Sequence, residues 1–170
     1  MDFMQLAQER YSVRKFLTEP VKKEHLEAIL KAGHLAPTAC NKQPQKIYVL
    51  ESEAALTKLD GCTKCRFEAP LALLVCADEN ACWVRRYDGA KSGEVDASIV
   101  TTHLMLAAQE QGVGSLWVMA FDPAAVKEAY ALPEGITPVA ILMLGYPDPA
   151  AEPAPQHSAF RDEEEIVSYL

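Results

Sequence analysis

Two arginines and a serine near the start of the chain are spaced so that they can bind one anion. In the segment Arg10-Tyr11-Ser12-Val13-Arg14-Lys15-Phe16, alternate side chains lie on the same side if the backbone is extended. Arg10, Ser12 and Arg14 would then direct two guanidinium groups and a hydroxyl to one point, which suits a single phosphate. The alternative is an exposed basic strand, because surface arginines are common.

A second stretch combines two prolines with amide side chains. In Ala36-Pro37-Thr38-Ala39-Cys40-Asn41-Lys42-Gln43-Pro44, the amides of Asn41 and Gln43 can match the donors and acceptors along the edge of a heterocycle. Amides in loops also bond to their own backbone, and taken alone this simpler interpretation is favoured.

A third stretch, Gly112-Val113-Gly114-Ser115-Leu116-Trp117-Val118-Met119, passes from a glycine turn into a strand. Glycines would allow a flat ligand to approach the backbone N–H groups here. A G-x-G pair without the rest of a dinucleotide-binding motif is weak evidence for a ligand site. This stretch therefore allows such an approach but does not by itself indicate one.

The cysteines and histidines do not indicate a metal site or a redox dithiol. Cys62-Thr63-Lys64-Cys65 lacks the strand-to-helix context of a thioredoxin motif and a second ligand pair for zinc. We therefore expect two ordinary thiols in a loop. The four histidines have no suitably spaced ligand partner, so we interpret them as satisfied or solvent-facing side chains.

The composition is that of a soluble globular protein. The 170 residues are 49% hydrophobic and 24% charged, which predicts one compact domain. A formal net charge of −8 disfavours binding to nucleic acid backbones. We find neither an export leader nor an apolar run of roughly 20 residues, so we expect a cytoplasmic protein that does not interact with membranes.

The predicted elements alternate between strand and helix. Periodicity and end signals predict helices near residues 3–7, 26–32 (ending at Gly33), 53–59, 95–111, 123–130 and 162–169, and strands at 46–50, 71–77, 115–119 and 139–144. The helix at 95–111 is apolar on nearly all sides, so it needs cover from the sheet and from a second subunit. Four prolines between residues 147 and 155 predict an extended arm.

In this order, the stretches resemble the FMN-dependent nitroreductase family. The resemblance rests on the R-x-S-x-R-x-F opening, the A-P-T-A-x-N-x-Q-P loop, the long helix running into Gly112-Val113-Gly114-Ser115, and Leu144-Gly145-Tyr146-Pro147 before a late arginine. It implies an α+β three-layer sandwich, with a central, mostly antiparallel sheet flanked by helices. It also implies an intertwined homodimer in which residues 1–170 form one FMN-binding domain and residues 147–170 are a C-terminal arm.

The resemblance also implies which residues surround FMN at two equivalent sites between the subunits. The phosphate and ribityl chain would be held by the first segment and by the arm, through Arg10, Tyr11, Ser12, Arg14 and Arg161. The ring would be contacted by the loop of the opposite subunit, by the end of a strand and by one lysine: Pro37, Thr38, Asn41, Gln43, Trp117, Val118, Met119, Ala120 and Lys64. No catalytic side chain and no metal are expected, because flavin N5 carries the chemistry.

The implied function is an oxidoreductase. FMN would take a hydride from NADH or NADPH and then reduce a small acceptor, such as a nitroaromatic or a quinone, by a ping-pong mechanism. One alternative is a non-catalytic FMN-binding module that acts as a flavin store, redox sensor or electron-transfer partner. Another is a dehalogenase-like or flavin-fragmenting relative.

Overall fold

The computed structural model describes residues 2–170 and is built around one four-stranded sheet. The strands are β1 (Gln45–Leu50), β2 (Leu71–Asp78), β3 (Gly114–Val118) and β4 (Ile136–Gly145), in the order β1-β2-β4-β3. Every neighbouring pair is antiparallel. The central strands β2 and β4 are apolar along most of their length and are buried on both faces, which requires helices on each side of the sheet.

The helices occupy both faces of the sheet. They are α1 (Phe3–Glu9), α2 (Lys23–Leu35), α3 (Glu53–Asp60), α4 (Gly93–Glu110), α5 (Pro123–Ala129) and α6 (Glu163–Ile166). Ile29 of α2 and Leu104 of α4 belong to the core on one face. Leu59 of α3 and Val126 of α5 belong to the core on the other face. The prediction of an α+β fold with an antiparallel sheet flanked by helices is therefore confirmed.

The predicted end of α2 at Gly33 is wrong, because the helix continues to Leu35. Gly33 is a packing residue. A Cβ atom built at this position would lie 2.6 Å from Leu104 Cδ2, so the glycine allows α2 and α4 to approach closely. A glycine that is needed for close helix packing has the same appearance in the sequence as a helix stop signal.

The C-terminal helix is shorter than residues 162–169. It covers Glu163–Ile166, and the chain around it is extended or irregular. Ile166, Val167, Tyr169 and Leu170 are exposed, so the apolar end of the arm is not buried against its own chain. None of the helices within residues 2–170 is long and apolar enough to cross a membrane.

Candidate functional site

The first segment runs along the end of β3 in an extended conformation. Val13 N–H donates to the Ser115 carbonyl at 2.9 Å, and Val13 and Phe16 are buried in the core. Gly114 makes this approach possible, because a Cβ atom there would lie 2.8 Å from Val13 Cγ2. Since Val13 points inward, the alternating side chains on either side of it lie on the opposite side of the segment.

Arg10, Ser12 and Arg14 line one cavity of about 470 Å³, as their spacing predicts. Neither guanidinium forms an ion pair with any residue of the described range 2–170. Arg14 Nη1 donates only to the Ser12 carbonyl, at 3.3 Å. The chain as a whole carries a net charge of −8, so two arginines without acidic partners leave this cavity with a local positive charge suited to an anion.

The C-terminal arm also lines this cavity, through Ala154, Gln156 and His157. Two contacts hold this part of the arm in place. Tyr11 packs edge-on against His157, with ring centroids 6.4 Å apart, and its hydroxyl donates to the Ala151 carbonyl at 3.4 Å. Sequence reasoning missed Gln156 and His157, because neither belongs to a recognisable motif.

Arg161 lies elsewhere in this single chain. Its side chain is exposed and its Nε donates to Glu165 Oε2 at 2.9 Å, and it does not line the cavity of Arg10 and Arg14. The arm therefore reaches the cavity through residues before Arg161. That Arg161 joins the phosphate site stays a prediction.

The proline-bounded loop is held in a specific shape by hydrogen bonds. Thr38 Oγ1 accepts a hydrogen bond from Gln43 N–H at 3.0 Å. Cys40, Asn41 and Gln43 have φ values of 51°, 51° and 49°, a left-handed conformation that is uncommon outside glycine and asparagine. The Gln43 amide reaches only its own loop, at 3.5 Å from the Asn41 carbonyl, which agrees with the simpler interpretation of that side chain.

The loop is also attached to α4. Ala39 N–H donates to Asp96 Oδ1 at 2.8 Å, and Asp96 is buried. None of the loop residues lines the cavity of Arg10 and Arg14 within this chain. That this loop contacts the flavin bound to an opposite subunit stays a prediction.

The end of β3 meets the loop that contains Cys62 and Cys65. A cavity of about 500 Å³ is lined by both segments: Gly61, Cys62, Thr63, Lys64, Cys65, Ala120, Phe121 and Asp122. Lys64 and Ala120, both predicted to lie near the flavin ring, therefore face the same space. Val118 is buried and Trp117 is partly buried in the strand, whereas Met119 lies just beyond its end and is 58% exposed.

Of the two cysteines in this loop, Cys62 is buried and Cys65 is partly buried. Cys62 is buried, and desolvation together with the nearby Asp122 carboxylate raises the pKa of its thiol. A raised pKa leaves little reactive thiolate at neutral pH. All five cysteines are free, and no group of three or more His, Cys, Asp or Glu side chains within residues 2–170 could hold a metal ion.

Comparison with known proteins identifies the family. The model of the nitroreductase family matches residues 7–72 and 66–146, which together span most of the chain. The chain belongs to the nitroreductase family. The predicted resemblance is thereby confirmed. The match includes the arginine segment, the proline-bounded loop and the strand end, but it stops before the C-terminal arm.

Nitroreductase family structures share the whole fold. A nitroreductase family protein from Clostridium difficile 630 is 39% identical, with a TM-score of 0.94 over 99% of this chain and 98% of that chain. An FMN-dependent nitroreductase from Clostridium difficile R20291 is 26% identical, with a TM-score of 0.81 over 98% of each chain. An FMN reductase [NAD(P)H] from Bacillus subtilis strain 168 is 26% identical, covering 94% of this chain and 74% of its own length.

Proposed function

We propose that this nitroreductase family member is an FMN-dependent oxidoreductase that takes a hydride from NADH or NADPH and reduces a small acceptor, such as a nitroaromatic or a quinone. The observation that carries the proposal is the cavity in which Arg10, Ser12 and Arg14 converge without an acidic partner. The names of the relatives, FMN-dependent nitroreductase and FMN reductase [NAD(P)H], support both the cofactor and the donor.

The residues of the cavity fit the phosphate end of FMN. Two guanidinium forks can each donate in parallel to phosphate oxygens, and the Ser12 hydroxyl adds a third donor. Bound FMN would supply the redox chemistry, accepting a hydride and passing electrons on. The protein would bind and orient it, with backbone groups of residues 117–120 and the Lys64 ammonium toward the ring.

We further propose that the active form is a homodimer with FMN between the subunits. Helix α1 buries none of its residues, and Phe3 and Met4 on it are exposed. Val95 on α4 is 61% exposed, and the apolar end of the arm is exposed as well. A second copy would cover these side chains and could bring Pro37, Thr38, Asn41 and Gln43 to the flavin ring.

The test is rapid mixing of the purified protein, reconstituted with FMN, with NADH and separately with NADPH. We expect bleaching of the flavin absorption within milliseconds to seconds with at least one donor, followed by reoxidation when an acceptor is added. A panel of quinones, nitroaromatics, free flavin and halogenated phenols then identifies the acceptor class. Tight FMN binding without bleaching by either donor would instead identify a non-catalytic flavin-binding protein.

A further inference from the structure

We propose that Thr63 is a positioning residue of the flavin site: its hydroxyl fixes the turn at residues 119–121, so that the Ala120 N–H is presented to the flavin ring. This inference rests on the proposed function. Thr63 belongs to the loop between Cys62 and Cys65, and its suggested role does not involve either thiol.

The Thr63 hydroxyl is held from both sides. Its Oγ1 lies 2.7 Å from the Ala120 carbonyl oxygen, to which it donates, and it accepts a hydrogen bond from the Cys65 N–H at 3.1 Å. The side chain is only 6% exposed, so water cannot easily replace these partners. The hydroxyl therefore determines the direction of the Ala120 carbonyl.

The turn beyond β3 is fixed at three successive points. Phe121 N–H donates to the Met119 carbonyl at 3.0 Å, and Asp122 N–H donates to the Cys62 carbonyl at 3.0 Å. With the bond from Thr63, both peptide planes that flank Ala120 have an anchored carbonyl. The Ala120 N–H lies in the same planar peptide unit as the Met119 carbonyl. That carbonyl accepts its hydrogen bond from the Phe121 N–H, which belongs to the peptide unit held by Thr63, so Thr63 affects the orientation of the Ala120 N–H through this bond.

The Ala120 N–H itself makes no hydrogen bond with residues 2–170. Ala120 is exposed and lines the cavity of about 500 Å³ that Lys64 also lines. A donor held in advance and left without an internal partner is the arrangement that binds and polarises an acceptor at low reorganisation cost. In the proposed site that acceptor is a ring nitrogen of FMN.

A fixed N–H donor favours the oxidised ring, whose nitrogen accepts a hydrogen bond, over the reduced ring, whose nitrogen carries hydrogen. If the hydroxyl of Thr63 is lost, the donor is less well positioned and this preference weakens. The equilibrium should then shift toward reduced flavin. The inference therefore predicts a change in the reduction potential of bound FMN from a residue that does not contact it.

The test compares Thr63→Val, which keeps the shape but removes the hydroxyl, with Thr63→Ser, which keeps the hydroxyl. Thr101→Val is the matched control, because Thr101 is also buried and its hydroxyl donates to a carbonyl, that of Ala97, at 2.8 Å. Two quantities are measured: amide hydrogen exchange at Phe121 and Asp122 in the flavin-free protein, and the potential of bound FMN.

We expect Thr63→Val to accelerate exchange at both amides by at least tenfold. We also expect it to shift the reduction equilibrium about tenfold toward reduced flavin, which equals about 30 mV for a two-electron couple. Thr63→Ser and Thr101→Val should stay within about twofold of wild type in both measurements. If Thr63→Val does not fold, Thr63→Ala is measured in its place against the same two controls.

The outcomes separate this inference from the proposed function. If the wild-type protein binds no FMN, the proposed function fails, and the positioning role fails with it. If FMN binds and the potential does not change in Thr63→Val, the positioning role is overturned while the proposed function stands. An equal shift in Thr101→Val would also overturn it, because the effect would then be a general loss of rigidity.

Discussion

The carboxylate of Asp96 accepts a hydrogen bond from the Ala39 N–H at 2.8 Å, which attaches the proline-bounded loop to the long helix α4. Its other oxygen, Oδ2, accepts a hydrogen bond from the Ser92 hydroxyl at 2.7 Å. Asp96 is 1% exposed, while its partners Ala39 and Ser92 are partly buried. The helix that carries Asp96 therefore determines where the loop, with Thr38 and Asn41, is presented.

Replacing Asp96 should loosen this loop. In Asp96→Ala the Ala39 N–H and the Ser92 hydroxyl, both partly buried, lose their acceptor. Leaving one polar group unsatisfied costs about 1–3 kcal/mol when the group is buried and less when water reaches it, so the two losses together should cost about 1–3 kcal/mol. We expect a loss of that order in the free energy of unfolding, measured by urea denaturation. Asp96→Asn keeps one acceptor oxygen for Ala39 and should retain most of the stability. Equal stability of all three proteins would contradict the assigned role.

The arginine segment could be predicted from the sequence, whereas the hydrogen bonds that hold the proline-bounded loop and the end of β3 could not. Arg10, Ser12 and Arg14 share one side because the period of an extended strand is fixed by local geometry. The bond that Ala39 donates to Asp96 and the bond that Thr63 donates to Ala120 each join residues 57 positions apart. Such pairs depend on how the sheet and helices pack, so no local sequence pattern predicts them.

The contacts of the arm with the arginine cavity could not be predicted from the sequence either. Its prolines predict an extended course, but they do not show which of its residues meet the arginine cavity. Gln156 and His157 do so because Tyr11 holds that part of the arm through contacts with Ala151 and His157. This tertiary packing cannot be deduced from the spacing of Arg161 alone.

Arg14→Ala should weaken FMN binding. A charge-assisted hydrogen bond contributes about 1.5–3 kcal/mol, so its loss should raise the dissociation constant about tenfold or more. Fluorescence titration of the flavin-free protein measures this constant. Lys23→Ala removes the same charge from an exposed position on α2, where Lys23 lies 3.7 Å from Glu27, and should leave the constant unchanged. Similar weakening in both variants would indicate a general effect of charge.

The purified protein should be a dimer at micromolar concentration. Stable obligate interfaces bury about 2,000 Å² or more, and we expect the exposed apolar side chains of α1, α4 and the arm to form part of such a surface. Val95→Glu should shift the mass measured by light scattering toward that of one chain and release FMN. Val49→Glu, on the edge strand β1, is the control that we expect to remain dimeric. A wild-type monomer that retains FMN would refute the shared site.

Stability should fall at alkaline pH because of Cys76. Burial raises the pKa of this thiol to about 12 from its ordinary value of 9.0, and the positive charge of Lys127 acts in the opposite direction. Between these values the unfolded chain releases the proton while the folded chain keeps it. The free energy of unfolding should therefore decrease as pH rises above about 9, by up to about 1.4 kcal/mol per pH unit.

Cys76→Ala isolates this contribution. We expect a smaller decrease in stability between pH 9 and 10 than in wild type, measured by urea denaturation at each pH. Cys40→Ala is the matched control, since the thiol of Cys40 is exposed, and its pH dependence should follow that of wild type. Burial also raises the pKa of Tyr130 to about 12, so all three proteins should share a further loss above pH 10. If the free energy of unfolding falls equally with pH in Cys76→Ala and Cys40→Ala, the contribution of Cys76 is refuted.

Two truncations of the arm should distinguish the role of the arm residues that line the arginine cavity from the role of Arg161. A chain that stops after Tyr146 lacks Ala154, Gln156 and His157, so the arginine cavity loses one side. We expect this chain to keep its helical circular dichroism, because α6 contributes nothing to the buried core, but to lose FMN. A chain that stops after Ala159 retains these lining residues and lacks only the segment with Arg161.

The comparison of these two chains with full-length Arg161→Ala then decides the role of that arginine. If Arg161 joins the phosphate site, the chain ending at Ala159 and Arg161→Ala should both bind FMN about tenfold more weakly than wild type, which is the cost of one charge-assisted bond. Wild-type affinity in both would remove Arg161 from the site and leave its bond to Glu165 as its main interaction. Unfolding of the shorter chain alone would show that residues 147–159 are needed for the fold itself.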